Sequence, residues 1–155
     1  ADVLQVAASS LMNRMGGSSG ALYGTFFLRL SLGAKGLALP EAADWARMLE
    51  EGAAGVMQRG KAQPGDKTLL DALLPAVEAF GAAAASGKRC ALAWSAAAQA
   101  ARSGAEQTTT MVARHGRAKF LGERSVGHID AGAASMALLF EAVSEFWKGH
   151  EHDET

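Results

Sequence analysis

Alanine is the commonest apolar residue of this chain, and this feature most restricts the folds open to it. Hydrophobic residues make up 49% of the 155 residues, whereas aromatic residues make up only 6%. Alanine is the strongest helix former, and its small side chain lets neighbouring helices approach closely. No segment has the alternating pattern of a half-buried strand. The sequence therefore predicts an all-α fold.

Apolar residues at helical spacing, separated by glycine- and proline-rich turns, predict the individual helices. Two helices are expected over about 2–13 and 19–32, and a third runs from just after Pro40 to about Gly60. A fourth covers about 68–85, with a kink or an early-turn boundary at Pro75. The segment from 90 to about 114 is one helix, or two with a break near Ser103-Gly104. A long polar loop over 116–132 precedes the last helix, at about 133–148.

The length of the chain suits one domain, which we assign to residues 1–148, with a charged and frayed tail over 149–155. The sequence opens on Ala1 in what already has a helical pattern, so we expect a fragment or a processed chain.

Charge and cysteine content exclude several classes of function. A net charge of −1 provides no electrostatic basis for binding nucleic acid or an anionic membrane surface. The single cysteine, Cys90, excludes an intrachain disulfide and agrees with a cytoplasmic protein. No apolar stretch is long enough to span a bilayer, and no signal peptide is apparent.

The segment from Gly16 to Gly20 has the composition of an anion-binding turn. Its glycines and serines come directly before an amphipathic helical run, and the start of a helix carries unpaired N–H groups and a partial positive charge. Ser18 and Ser19 either contact a bound phosphate or act as simple N-caps. Neither the G-x-x-x-x-G-K-[ST] motif nor the G-x-G-x-x-G spacing is present.

Three glycine-rich loops, over 16–20, 60–68 and 116–132, each come before a helix. If the helices alternate up and down, such loops lie at one end of the fold and form a common rim. In the second loop, Asp66 and Lys67 are interpreted either as an exposed ion pair or as residues that shape this rim or dock a partner.

The remaining conspicuous side chains are interpreted as structural. Glu123 and Arg124 order the third loop, and His128 is a loop residue although its pKa range suits acid–base chemistry. The other side chains assigned to the core, to an interface or to the solvated tail are Trp45, Cys90, Trp94, Trp147, His150 and His152.

Several motifs, in order, make the chain recognisable at family level. They are Gly16-Gly17-Ser18-Ser19-Gly20, Gly24-Thr25-Phe26-Phe27, Arg59-Gly60-Lys61-Ala62, Pro64-Gly65-Asp66-Lys67-Thr68, Gly116-Arg117-Ala118, Leu121-Gly122-Glu123-Arg124-Ser125 and Gly127-His128. With these motifs the chain resembles the nucleotide-binding L subunit of bacterial dihydroxyacetone kinase. It equally resembles the C-terminal domain of the single-chain ATP-dependent kinases.

The resemblance implies an up-and-down barrel of antiparallel helices, incomplete at the N-terminus, with ADP or ATP at one rim. Ser18 and Ser19 would meet the phosphates, and Arg117 would contact the nucleotide and is the only candidate for a catalytic role. The other residues implied to line or close the nucleotide site are Gly60, Leu69, Asp130, Ala131 and Gly132. Relatives often have methionine at the position of Leu69 and proline at that of Ala131.

Family members also hold two magnesium ions with a loop of aspartates upstream of the first helix seen here. This chain has no counterpart, since Asp2 is a lone carboxylate, so no metal ligand is assigned to it. The resemblance therefore predicts that magnesium ligands come from a truncated segment or from another molecule.

The function implied is that of a phosphotransferase component in glycerol metabolism, inactive alone. It would relay a phosphoryl group to dihydroxyacetone on a K subunit or domain, from a phosphohistidine protein of the phosphotransferase system or from free ATP. The alternatives are a non-catalytic nucleotide-binding or partner-docking regulatory module and a carrier of an apolar ligand. A homodimer is left open.

Overall fold

The structure, a computed structural model, describes residues 1–150. All of the regular secondary structure in that range is helical. The α-helices are α1 (Asp2–Arg14), α2 (Gly17–Gly33), α3 (Ala42–Gly60), α4 (Leu70–Ala85), α5 (Cys90–Gln107) and α6 (Ala131–His150). Short 3-10 helices cover Thr108–Thr110 and Arg117–Ser125, and the second is divided by a kink at Gly122, which has φ of 54°. The predicted all-α fold is confirmed. Within the described residues, no helix has both the length and the apolar character needed to cross a membrane.

The chain forms two compact units, the first over Ala1–Lys61 and the second beginning at Ala62. In the first unit α1 packs on α2 and α2 packs on α3; in the second, α4, α5 and α6 pack on one another. The assignment of one domain to 1–148 stays a prediction, as does closure of a barrel.

Glycines let α1 and α2 approach closely. A Cβ atom on Gly20 would collide with the carbonyl oxygen of Met15 and lie 2.8 Å from that of Leu11. One turn later, a Cβ atom on Gly24 would collide with the side chain of Met12. As the sequence number rises along α2 it falls along α1, so the two helices are antiparallel.

The contact between α2 and α3 is built in the same way. A Cβ atom on Gly52 would lie 2.8 Å from the ring of Phe26, and one on Gly60 would lie 3.1 Å from Leu22. The two helices are therefore antiparallel, and the end of α3 lies beside the early turns of α2. α3 stops where Lys61 adopts a left-handed conformation, with φ of 56°.

Three aromatic rings form the centre of the second unit. Trp94 of α5 lies between Phe80 of α4, at a centroid distance of 4.8 Å, and Phe140 of α6, at 5.7 Å. All three side chains are almost fully buried, and aromatic pairs at these distances add to the stability gained by burial alone. The assignment of Trp94 to the core is confirmed.

Of the two alternatives for this segment, the structure shows the single helix, because α5 is continuous from Cys90 to Gln107 with no break near Ser103-Gly104. The expected extension to about residue 114 is wrong, since α5 ends at Gln107 and only a short 3-10 helix follows.

Gly104 serves the contact with α4, where a Cβ atom would collide with the carbonyl oxygen of Asp71. Pro75 lies four residues after Asp71 and has no N–H to donate to that oxygen. Pro75 thus leaves the Asp71 carbonyl group without its usual donor in α4, and Gly104 lets the backbone of α5 approach that group.

Three predicted boundaries also need correction. α2 begins at Gly17, two residues before the predicted start, so Ser18 and Ser19 lie within its first turn. The predicted loop over 116–132 contains the 3-10 helix Arg117–Ser125, and α6 begins at Ala131. α6 also continues through Gly149 to His150, so these two residues are not part of a frayed tail. The rest of the predicted tail, including His152, lies outside the described residues.

Candidate functional site

Ser18 and Ser19 lie in the first turn of α2, at the second and third helical positions. Gly16 precedes the helix in an extended conformation, and Gly17 has φ of 69°, a value that favours glycine. The N-cap is Gly16, and no side chain of the described residues caps this end of the helix, so the interpretation of the two serines as N-caps is wrong. Both are exposed. The backbone N–H groups of a first turn have no intrahelical acceptor, so this turn offers donors to an anion.

Gly60 is placed at the same end of the first unit. It is the last residue of α3, and its α-carbon faces the side chain of Leu22. Leu22 lies three to four residues after Ser18 and Ser19, so it is on the same side of α2. Among the predicted site residues, the first unit therefore brings together Ser18, Ser19 and Gly60.

A second group of predicted residues meets at the starts of α4 and α6. A Cβ atom on Gly132 would lie 3.3 Å from both the Cβ atom and the backbone nitrogen of Leu69, and 2.9 Å from a carboxylate oxygen of Asp130. Only glycine fits this approach without a shift. Ala131, between Asp130 and Gly132, is the exposed first residue of α6.

Asp130 already has a structural role. Its Oδ2 accepts a hydrogen bond of 2.9 Å from the backbone of Ala133, and its own N–H donates to Thr108 Oγ1 at 2.9 Å. Burial raises the pKa of the Asp130 carboxyl above its ordinary value, and hydrogen bonds from the start of α6 and the charge of Lys67 oppose this rise. A carboxylate at the start of a helix also interacts favourably with the helix dipole.

Arg117 is exposed at the start of the 3-10 helix that follows Gly116. Over residues 1–150, no hydrogen bond or ion pair is formed by its guanidinium group. The side chain can therefore pair with phosphate oxygens, a geometry that guanidinium groups favour. The structure does not bring Arg117 into a hydrogen-bonded contact with the other predicted residues.

The interpretation of Asp66 and Lys67 as an exposed ion pair is wrong. Both residues are buried, with exposed fractions of 6% and 3%, and they do not pair with each other. The Asp66 carboxylate accepts a hydrogen bond of 2.7 Å from the backbone of Gln63 and lies 3.0 Å from His115 Nε2. Arg114 adds a looser contact at 3.8 Å.

Sequence reasoning missed Asp71, and it named Lys67 without its hydrogen-bond partners. Lys67 Nζ donates to the backbone oxygens of Thr108 and His128. Asp71 accepts hydrogen bonds from the backbones of Gly65, at 2.6 Å, and Thr68, at 2.7 Å. The spacing Thr68-x-x-Asp71 matches a capping-box pattern and is a local signal that identifies Asp71. No local signal identifies the acceptors of Lys67.

The residues interpreted as parts of the third loop have no chemical role that the structure reveals. His128 is exposed and contributes its backbone oxygen to the bond with Lys67. Glu123 and Arg124 are exposed in the 3-10 helix. Over residues 1–150, no three histidine, cysteine, aspartate or glutamate side chains group together as metal ligands.

Comparison with known proteins identifies the family. The model of the DAK2 domain matches residues 1–145. The chain is 39% identical to the PEP-dependent dihydroxyacetone kinase, ADP-binding subunit DhaL, of Escherichia coli (strain K12), covering 92% of this chain and 68% of that protein. It is also 39% identical to L-erythrulose kinase of Pectobacterium atrosepticum, covering 92% of this chain and 24% of that protein. The chain thus spans about two thirds of the first relative and about a quarter of the second.

A solved structure shares the fold. The dihydroxyacetone kinase of C. freundii, in its native form, superposes with a TM-score of 0.66 at 30% sequence identity, over 92% of this chain and 23% of that one. The family model covers almost all of the described residues, and the relatives match along the same length. The chain belongs to the DAK2 domain family.

Proposed function

We propose that this chain is the nucleotide-binding component of a dihydroxyacetone kinase, with ADP or ATP as its ligand. The observation that carries the proposal is the first turn of α2, where exposed Ser18 and Ser19 lie at a helix start without a side-chain cap. Such a turn offers backbone donors, hydroxyl groups and a favourable dipole to a phosphate group. Support also comes from relatives that are named as ADP-binding subunits of such kinases.

In this proposal, Ser18 and Ser19 bind the phosphates and Arg117 pairs with phosphate oxygens. The remaining contacts with the nucleotide are assigned to Gly60, Leu69, Asp130, Ala131 and Gly132. In its ATP form the nucleotide supplies the transferable phosphoryl group and is left as ADP, which the phosphohistidine protein rephosphorylates or free ATP replaces. The residues of this chain hold and orient the nucleotide, and they form no covalent intermediate, because positioning and charge stabilisation account for most catalysis in phosphoryl transfer.

The acceptor and the partners belong to the same proposal. Dihydroxyacetone is held on a K subunit or domain, and the chain alone does not complete the reaction. Relatives named as PEP-dependent and PTS-dependent kinase subunits support a phosphohistidine protein as the phosphoryl donor. Magnesium is expected with the nucleotide, with its ligands supplied from outside residues 1–150. We place the protein in the cytoplasm.

The test is a calorimetric titration of ADP, with magnesium, into the purified chain and into the chain carrying a family-type aspartate loop at its front. Tight binding to either protein supports the proposal, and binding only to the second places the metal ligands in that loop. Absence of binding to both folded proteins contradicts the proposal and favours a partner-docking module.

Site variants identify the contacts. The double variant Ser18→Ala/Ser19→Ala and the single variant Arg117→Ala should each weaken ADP binding by about tenfold or more, since hydrogen bonds to charged groups are worth roughly 1.5–3 kcal/mol. Ser10→Ala removes an exposed hydroxyl from α1. Arg124→Ala removes an exposed charge from the Arg117–Ser125 segment, beyond its kink at Gly122. Both controls should bind like the wild type. Equal losses in site and control variants would refute the assignment.

A further inference from the structure

Lys67 is buried at a point where three elements meet. Its exposed fraction is 3%, and its Nζ donates to the Thr108 oxygen at 2.5 Å, at the end of α5. It also donates to the His128 oxygen at 2.6 Å, in the segment that leads into α6. A buried ammonium group is costly unless it is hydrogen-bonded, so these two bonds hold Thr108 and His128 in place.

The backbone around Lys67 is held as firmly as its side chain. Lys67 has φ of 59°, an uncommon value for a residue with a Cβ atom. The Asp71 carboxylate accepts hydrogen bonds from the backbones of Gly65 and Thr68, on either side of this position. Neighbouring Asp66 is fixed by its bond with Gln63. The loop therefore presents the ammonium group from a rigid base.

Thr108 continues the connection toward α6. It is fully buried, and its hydroxyl donates to the Ala105 oxygen at 2.6 Å while it accepts from the Asp130 N–H at 2.9 Å. Asp130 in turn accepts from the Ala133 N–H. One chain of hydrogen bonds thus runs from the Lys67 ammonium group through Thr108 to the start of α6.

We propose that Lys67 and Thr108 are positioning residues that set nucleotide affinity by clamping the start of α6 to the end of α5. This inference rests on the proposed function, because the residues that the clamp holds, Asp130 and Gly132, are among the proposed nucleotide contacts. Neither Lys67 nor Thr108 needs to touch the ligand. Both are buried, and their polar side-chain atoms are engaged by the protein itself.

The test compares Thr108→Val with Thr108→Ser. Valine keeps the shape of threonine but cannot accept the hydrogen bond from Asp130, whereas serine keeps the hydroxyl. ADP affinity should fall about tenfold in Thr108→Val, a change equivalent to loss of one buried hydrogen bond, and return in Thr108→Ser. Lys67→Met should weaken binding at least as much. The Asp130 amide should exchange with solvent faster in Thr108→Val than in Thr108→Ser, with or without ADP.

Arg102→Met is the matched control. It breaks the two 2.6 Å bonds between Arg102 and Glu141, which also join α5 to α6 but away from the start of α6. This variant should bind ADP like the wild type even if its thermal stability falls. If Lys67→Met does not fold, the Thr108 pair decides the result.

The proposed function and the positioning role of Lys67 and Thr108 are refuted by different results. A folded wild-type protein that does not bind ADP, with or without the aspartate loop, refutes the proposed function and the affinity claim with it. If the wild type binds ADP and Thr108→Val binds it with the same affinity, the positioning role is refuted. It is also refuted if Arg102→Met loses as much ADP affinity as Thr108→Val. Either result leaves the proposed function intact.

Discussion

Asp130 illustrates, for a single residue, how a functional candidate is also part of the scaffold. Its carboxylate accepts a hydrogen bond at the start of α6, yet burial raises its pKa above the ordinary value of 3.8. Lys67 opposes this shift, whereas the negative charge of Asp71 adds to it. The carboxyl group therefore binds its proton more tightly in the folded protein than in the unfolded chain.

Asp130→Asn should change the pH dependence of stability. Because the pKa of Asp130 is raised on folding, wild-type stability falls as the pH rises from 3.8 through the folded-state value. Asparagine does not ionise and can still accept the bond from Ala133. The free energy of unfolding of the variant, relative to wild type, should increase across this pH range in urea titrations. A difference that is independent of pH would contradict this prediction.

Gly104→Ala should destabilise the protein although alanine favours helices. The new Cβ atom would collide with the Asp71 carbonyl oxygen, which is backbone and cannot move aside easily. We expect a loss of about 2 kcal/mol, within the range for overpacked cores. Gly149→Ala in α6 is the control, since a Cβ atom there meets no atom of residues 1–150 within 4 Å. Urea denaturation of both variants checks the prediction, which fails if Gly104→Ala is as stable as Gly149→Ala.

At the scale of elements, close helix contacts depend on glycines placed four residues apart. Gly20 and Gly24 face α1, and both exclude a Cβ atom, but they do so against different groups. At Gly20 the obstacle is the backbone oxygen of Met15, whereas at Gly24 the nearest atoms belong to the flexible side chain of Met12. The spacing between α1 and α2 is thus set mainly by Gly20.

Gly20→Ala should therefore cost more stability than Gly24→Ala. We expect about 2–3 kcal/mol for the former, because α1 and α2 must separate, and about 1 kcal/mol or less for the latter, because methionine adapts its conformation. Chemical denaturation of the two variants measures the difference. Equal losses would mean that Met12 is as immobile as the backbone.

At the scale of the whole molecule, the proposed function links ligand binding to stability. A nucleotide that binds only the folded chain, present at 100 times its dissociation constant, should raise the free energy of unfolding by about 2.7 kcal/mol. Adenosine, which lacks phosphates, should have a much smaller effect at the same concentration, because the proposed contacts of Ser18, Ser19 and Arg117 are with phosphates. Denaturation with each ligand tests this. Equal stabilisation by the nucleotide and by adenosine would contradict the proposed contacts with the phosphates.

The correct predictions from sequence all rest on local chemistry. Helix propensity, periodicity and turn residues act within about four residues, so they predict the all-α fold and place most helices. The same short-range signals predict an anion-binding turn at Ser18 and Ser19. The boundary errors at α2 and α6 amount to two residues each, and α5 ends at Gln107 instead of near residue 114. Short-range signals are least specific at the ends of helices.

The roles of the polar and small residues depend on contacts between segments that are distant in sequence. Lys67 is buried because its acceptors on Thr108 and His128 come from residues 41 and 61 positions further along the chain. Gly104 looked like a helix break, but it is the site where the Asp71 backbone approaches. The cost of burying a charge, or of placing a Cβ atom, depends on the groups that surround it in space. Those groups are brought together only when the helices pack.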